Sequence, residues 1–66
     1  MPIINVHLWE GRTVEQKRQL AAKFTEVIVE VGAVPVDSVI VTFSDYAKSD
    51  WAEGGYLASD KLRISK

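Results

Sequence analysis

Residues 13–32, Thr13-Val14-Glu15-Gln16-Lys17-Arg18-Gln19-Leu20-Ala21-Ala22-Lys23-Phe24-Thr25-Glu26-Val27-Ile28-Val29-Glu30-Val31-Gly32, read as one long helix. That helix decides the fold. Thr13 followed by Gln16 has the spacing of a capping box, so the helix is predicted to begin at Val14. Leu20, Phe24, Val27, Ile28 and Val31 recur at helical spacing as one apolar stripe, while Glu15, Lys17, Arg18, Lys23 and Glu26 decorate the other sides. Gly32 sits where a left-handed C-cap residue belongs, which predicts an end near Val31 and a length of about 27 Å.

Upstream, Ile3-Ile4-Asn5-Val6-His7-Leu8-Trp9 is rich in β-branched and large apolar residues and reads as a strand. Ile4, Val6 and Leu8 share one face; Ile3, Asn5, His7 and Trp9 share the other. Glu10-Gly11-Arg12 is the turn into the helix. Downstream, Ala33 to Ser38 is a connector, and Val39-Ile40-Val41-Thr42-Phe43-Ser44 is a second strand. Strand, long helix, strand is a βαβ unit, whose crossover makes the strands parallel and right-handed. Residues 45–60 hold Gly54-Gly55 between Trp51 and Tyr56, which suggests a short hairpin or extended arm. The tail, residues 61–66, is expected to be loosely ordered unless a neighbouring subunit holds it. The expected class is α+β: a single-domain β-α-β protomer over 1–66 with parallel strands and a C-terminal hairpin or arm.

The chain has 66 residues, 47% of them hydrophobic, with no cysteine and a single histidine. Domains of this size bury only about 60% of their unfolded surface. Those below roughly 70–80 residues usually need disulfides, a metal or oligomerisation. The absence of cysteine removes the first, and one imidazole without a spaced carboxylate cluster argues against the second. Self-association is therefore the expected source of stability, because a lone βαβ unit leaves sheet edges and one sheet face uncovered. A net charge of −1 argues against a nucleic-acid surface. No apolar run approaches the roughly 20 residues of a membrane span and no signal-peptide pattern opens the chain, so a cytoplasmic location is the default expectation.

The chemistry-bearing candidate is Pro2, directly behind Met1. With Met1 removed, its nitrogen is a secondary amine in a rigid ring at the edge of a strand. A structural role competes, because a strand's first residue need not donate a hydrogen bond. Arg12 reads equally as a solvated charge at a turn, and Trp9 and Trp51 as core or interface residues. His7 is an ordinary strand position, and Asp45, Asp50 and Asp60 form no convincing acid/base pair.

Taken together, Pro2-Ile3-Ile4, His7-Leu8-Trp9-Glu10-Gly11-Arg12-Thr13 and Glu15-Gln16-Lys17 resemble the opening of the 4-oxalocrotonate tautomerase family. Pro35, Ser38-Val39, Ala47-Lys48, Glu53-Gly54-Gly55 and Leu57-Ala58-Ser59 continue the resemblance at constant spacing. It implies a β-α-β protomer assembled into dimers and a homohexamer, a trimer of dimers. It also implies cofactor-independent keto–enol tautomerisation of a small enol or 2-hydroxy-enoic carboxylic acid. In the family the amino-terminal proline shuttles the proton, a role that falls to Pro2, and an arginine matched by Arg12 holds a substrate carboxylate. Trp51 stands where the family usually has phenylalanine, as an apolar wall of the pocket, and Trp9 where it often has leucine. Ile40 replaces the second arginine of the isomerase members, which puts the usual dicarboxylate substrate in question and favours a monoacid with an aromatic or apolar tail. The expected site is therefore Pro2 and Arg12 with Trp9, Ile40 and Trp51 around the substrate, without metal or cofactor. Two alternatives stay open: a hydratase or dehalogenase activity on an unsaturated acid, and a non-catalytic subunit of a homo- or hetero-oligomer.

Overall fold

The computed structural model of the chain describes residues 1–60. Strand β1 (Ile3–Trp9) leads through the Gly11 turn into helix α1 (Val14–Gly32), and strand β2 (Ile40–Tyr46) returns beside β1. The two strands are parallel, in register from Ile3 opposite Ile40 to Trp9 opposite Tyr46. Backbone bonds extend the ladder beyond both ends: the Ile40 N–H donates to the Pro2 carbonyl at 3.0 Å, and the Glu10 N–H to the Tyr46 carbonyl at 2.8 Å. The expected α+β protomer with parallel strands is the observed one.

Helix α1 starts where the sequence places it. Thr13 is the N-cap: its hydroxyl accepts from the Gln16 N–H at 3.1 Å, and the Gln16 side-chain oxygen accepts from the Thr13 N–H at 2.9 Å. The end differs from expectation. Gly32 remains helical, and the left-handed residue is Ala33, with φ 55° and its N–H donating to the Val29 carbonyl at 3.1 Å. Glycine permits the left-handed conformation without requiring it, so the helix runs one residue further. The connector contains a 3₁₀ turn at Val36–Ser38, braced by the Ser38 hydroxyl donating to the Pro35 carbonyl at 2.7 Å. That turn delays β2 to Ile40, and the strand runs on to Tyr46 rather than stopping at Ser44.

Leu20, Phe24 and Ile28 are half-buried on the helix, and Ile4, Val6, Leu8, Val41 and Phe43 on the strands are half-buried as well. A salt bridge from Lys17 to Asp45 ties the helix to β2. Val27 and Val31, assigned to the same stripe from spacing, are exposed, Val31 by 80%. At 100° per residue Val27 falls on the flank of the stripe, whereas Val31 falls within it, between Leu20 and Phe24, but in the last turn of α1.

Antiparallel strands β3 (Ala52–Glu53) and β4 (Tyr56–Leu57) form a hairpin, the first of the two forms expected there. Its turn residues Gly54 and Gly55 have φ of 61° and 89°, the paired positive values that a two-residue hairpin turn demands. The tail expectation lies outside the described residues.

The hydrophobic core is small for a folded domain: among the described residues only Ala58 is buried, and no large side chain is fully so. Ile3, Val14, Val27, Val31, Val36 and Tyr56 stay more than half exposed. The radius of gyration is 15.6 Å, against about 11 Å for a compact domain of this length. A fold with this little interior cannot offset the conformational entropy of ordering its chain. The apolar surface left open is surface for other copies to cover. Among the described residues, no helix is long and apolar enough to cross a membrane.

Candidate active site

Parallel strands put like ends together, and that governs where each candidate residue lies. At the amino-terminal end of the sheet, Pro2 is half-buried, with its carbonyl fixed by the Ile40 N–H. Ile40 is the first residue of β2 and 38% exposed. Met1, 85% exposed, makes no hydrogen bond among the described residues, so the Pro2 anchor does not depend on it.

Trp9, Trp51 and Arg12 belong to the opposite end. The strand between Pro2 and Glu10 is seven residues long, or about 23 Å at the usual rise. Trp9 meets Trp51 edge-on with centroids 5.9 Å apart, and Tyr46 meets Trp51 in the same manner at 5.5 Å. Such edge-to-face arrangements are the favoured packing of aromatic quadrupoles. The Trp51 indole N–H donates to the Glu53 carboxylate at 3.1 Å, which orients the ring from the hairpin. The Trp9 indole nitrogen is buried without a hydrogen-bond partner among the described residues. The Lys48 ammonium lies 4.9 Å from the centroid of the Trp9 ring. Arg12 is exposed and lines a shallow depression with Gln16, Gln19, Leu20 and Lys23 against the first turns of α1.

Between the two ends, the sheet face opposite the helix carries a polar ladder. Asn5 Nδ2 donates to the Thr42 hydroxyl at 2.5 Å, and the Ser44 hydroxyl to Asn5 Oδ1 at 3.4 Å. His7 Nδ1 and the Tyr46 hydroxyl share a hydrogen bond of 2.8 Å, with their rings stacked. This face is uncovered in the single chain.

One protomer therefore brings together Pro2 with Ile40, and Trp9 with Trp51, but not Pro2 with Arg12 or with the tryptophans. Of the expected site, Pro2 and Arg12 with Trp9, Ile40 and Trp51, a single chain sets only Ile40 beside Pro2, because a strand's length separates the rest. Sequence reasoning missed two members of the aromatic end, Tyr46 and Lys48. The only signal for Tyr46 was its parity with Trp9 across the register, which requires knowing that β2 continues past Ser44. Nothing in the sequence placed Lys48 against Trp9.

Comparison with known proteins now bears on this geometry. The family model described as "Tautomerase enzyme" matches residues 2–61. The chain belongs to the tautomerase family. The resemblance seen in its motifs extends to whole proteins: the 2-hydroxymuconate tautomerase of Pseudomonas putida is 41% identical over 63 residues, covering 96% of this chain and 100% of that one. A 4-oxalocrotonate tautomerase isozyme from Methylibium petroleiphilum superposes with a TM-score of 0.89 at 35% identity, over 96% of this chain and 98% of the other. A heterohexameric 4-oxalocrotonate tautomerase from Chloroflexus aurantiacus superposes with a TM-score of 0.85 at 25% identity, covering 91% and 97%. The tautomerase-family chain is thus an enzyme by its relatives, and one of its structural neighbours, the Chloroflexus tautomerase, is a heterohexamer.

Proposed function

We propose that this tautomerase interconverts the enol and keto forms of a small carboxylic acid, with Pro2 as the proton-transfer group and Arg12 as the carboxylate anchor. The reaction needs one base. After Met1 is removed, the prolyl nitrogen takes the proton of the substrate's 2-hydroxyl, the oxygen lone pair forms the carbonyl, and the displaced alkene electrons take the proton back at carbon. The nitrogen ends as it began, and no cofactor enters. For the amine to be neutral, its charged form must be disfavoured, which desolvation against apolar walls and a neighbouring guanidinium both accomplish.

One observation carries the reading further: Pro2 and Arg12 stand at opposite ends of β1. Acting on one substrate, they belong to different copies of the chain. Antiparallel pairing of two β1 edges about a two-fold axis brings the Pro2 end of one copy beside the Trp9–Arg12 end of the next, twice over. The same pairing satisfies an open sheet edge and supplies the apolar walls that a single chain lacks. The assembly is a homohexamer built from such dimers, and packing of dimers covers the exposed Ile3, Val31 and Val36. Because the Ile40 side chain offers no donor beside Pro2, the substrate is a monoacid whose apolar or aromatic tail lies against Trp9 and Trp51.

The test is ultraviolet monitoring of ketonisation of phenylenolpyruvate and 2-hydroxymuconate by protein whose mass shows Met1 absent. Turnover is expected with preference for phenylenolpyruvate, and Pro2→Ala is expected to remove it. No turnover of either, or a Pro2→Ala variant equal to wild type, overturns the proposal. Mixing Pro2→Ala chains with Arg12→Ala chains, refolding them together and assaying at substrate low enough that neither variant alone turns over tests the shared site. Roughly a quarter of wild-type activity returns if each site draws on two copies, and none if it draws on one.

Ile40, with the likeness to the Chloroflexus heterohexamer, supports a second reading, in which this chain is one of two subunit kinds in a mixed hexamer. Activity that appears only when a second small tautomerase chain is added selects it; full activity of the pure chain removes it.

A further inference from the structure

Five side-chain cations fall among the described residues: Arg12, Lys17, Arg18, Lys23 and Lys48. Three are neutralised by carboxylates, Lys17 by Asp45, Arg18 by Glu15 and Lys23 by Glu26. The other two, Arg12 and Lys48, have no ion-pair partner there. Both lie at the Trp9 end of the sheet, where a third cation, Lys17, is held by Asp45 opposite Leu8. Arg12 follows Trp9 by three residues, within about 11 Å along the chain. The Lys48 ammonium lies over the Trp9 ring, 4.9 Å from its centroid.

The geometry points to Lys48 as a second substrate-binding cation, which contacts the 2-oxygen of the enol acid while Arg12 holds its carboxylate. This assignment rests on the tautomerase reading above, since the site it completes is the one formed between the Pro2 end of one copy and the Trp9 end of another. Three arguments lead to it. A cation left without a carboxylate in a chain with nine acidic residues is available to an anionic ligand. The Trp9 ring face restrains the ammonium by a cation–π contact, so less side-chain freedom is lost when substrate binds. The division of labour also follows from donor geometry: a guanidinium is a planar fork suited to a carboxylate, whereas an ammonium is a compact point charge suited to a single oxygen.

The consequence is chemical. Negative charge grows on the 2-oxygen as its proton departs, and a cation there is worth more in the transition state than in the ground state. Ile40 leaves that role empty on the Pro2 side, and Lys48 fills it from the opposite side of the shared site. Tail recognition and charge stabilisation then meet at Trp9, whose face holds the lysine and whose ring packs near-perpendicular to that of Trp51.

The experiment compares wild type, Lys48→Met, Lys48→Arg and Arg12→Ala, each confirmed as wild-type in assembly size by sedimentation. With phenylenolpyruvate, Lys48→Met is expected to lower kcat about 10²-fold with little change in KM, Lys48→Arg to recover part of it, and Arg12→Ala chiefly to raise KM. Binding is read separately by tryptophan fluorescence with two probes that undergo no net conversion, 2-oxobutyrate, which rests almost wholly in its keto form, and butyrate. Lys48→Met should weaken 2-oxobutyrate about tenfold and leave butyrate unchanged, whereas Arg12→Ala should weaken both. Equal kcat in Lys48→Met and wild type, or equal loss of both probes, overturns the assignment. If Pro2→Ala is inactive while Lys48→Met is normal, the lysine's role alone falls. If Pro2→Ala is fully active, the underlying tautomerase site falls with it.

Discussion

Diluting this protein should lower its melting temperature steeply, and the slope should report how many copies share a core. Only Ala58 is buried in the single chain, so unfolding and dissociation are expected to be one event. For n copies that dissociate as they unfold, a tenfold dilution removes about 1.4 × (n − 1)/n kcal/mol per protomer. That is about 1.2 kcal/mol for six copies and about 0.7 for two. The unfolding entropy of a 66-residue chain is about 0.14 kcal/mol/K at about 2.1 cal/mol/K per residue. The melting point should therefore fall by about 8 °C per tenfold dilution for a hexamer and about 5 °C for a dimer. Circular dichroism melts over a hundredfold concentration range, with sedimentation at each concentration, measure this directly. A melting temperature constant across that range would mean that the single chain carries its own stability, and the argument from its thin interior would be wrong.

Other outcomes follow from individual residues. Replacing the N-cap Thr13 with alanine leaves the Gln16 N–H without its side-chain acceptor and should cost about 1 kcal/mol per protomer in urea unfolding; no loss would mean the helix start is held by packing alone. Ala33→Gly should stabilise by about 0.5–1 kcal/mol, because Ala33 holds φ 55° against the usual penalty for a Cβ in the left-handed region; a destabilised variant would refute the assigned cap. At Gly54, φ is 61° and an added Cβ meets nothing within 4 Å, so Gly54→Ala should cost about 1 kcal/mol from backbone strain while Gly54→Asn costs less. Equal losses for the two would point to something other than conformation. Trp51→Leu removes the ring that both Trp9 and Tyr46 meet edge-on; it should flatten the near-ultraviolet dichroism and narrow the preference for an aromatic tail, read as the kcat/KM ratio of phenylenolpyruvate to a short enol acid.

Where the sequence and the structure part, the cause is traceable to particular residues. Thr13 and Gln16 announce the helix start because capping is a local matter of two side chains and two N–H groups. The helix end was misplaced by one residue because Gly32 and Ala33 both fit it, and only the path of the following chain selects between them. Val27 and Val31 belong to an apolar stripe by spacing, yet a single two-stranded sheet is too narrow to cover them. Tyr46 and Lys48 escaped notice because their partners, His7, Trp51 and Trp9, are remote in sequence.

The sequence by itself determined the strand–helix–strand order, the parallel pairing, a hairpin or arm at Gly54-Gly55 and the resemblance to the tautomerase family, because each rests on local spacing and short motifs. It also named Pro2 and Arg12. What only the tertiary structure decided is that Ile40 stands beside Pro2 while Tyr46, Lys48 and Trp51 gather with Trp9 at the far end of the sheet. Register and strand length are global properties: they set distances between residues that a motif merely enumerates, and here they divide the candidate machinery into two halves on each chain.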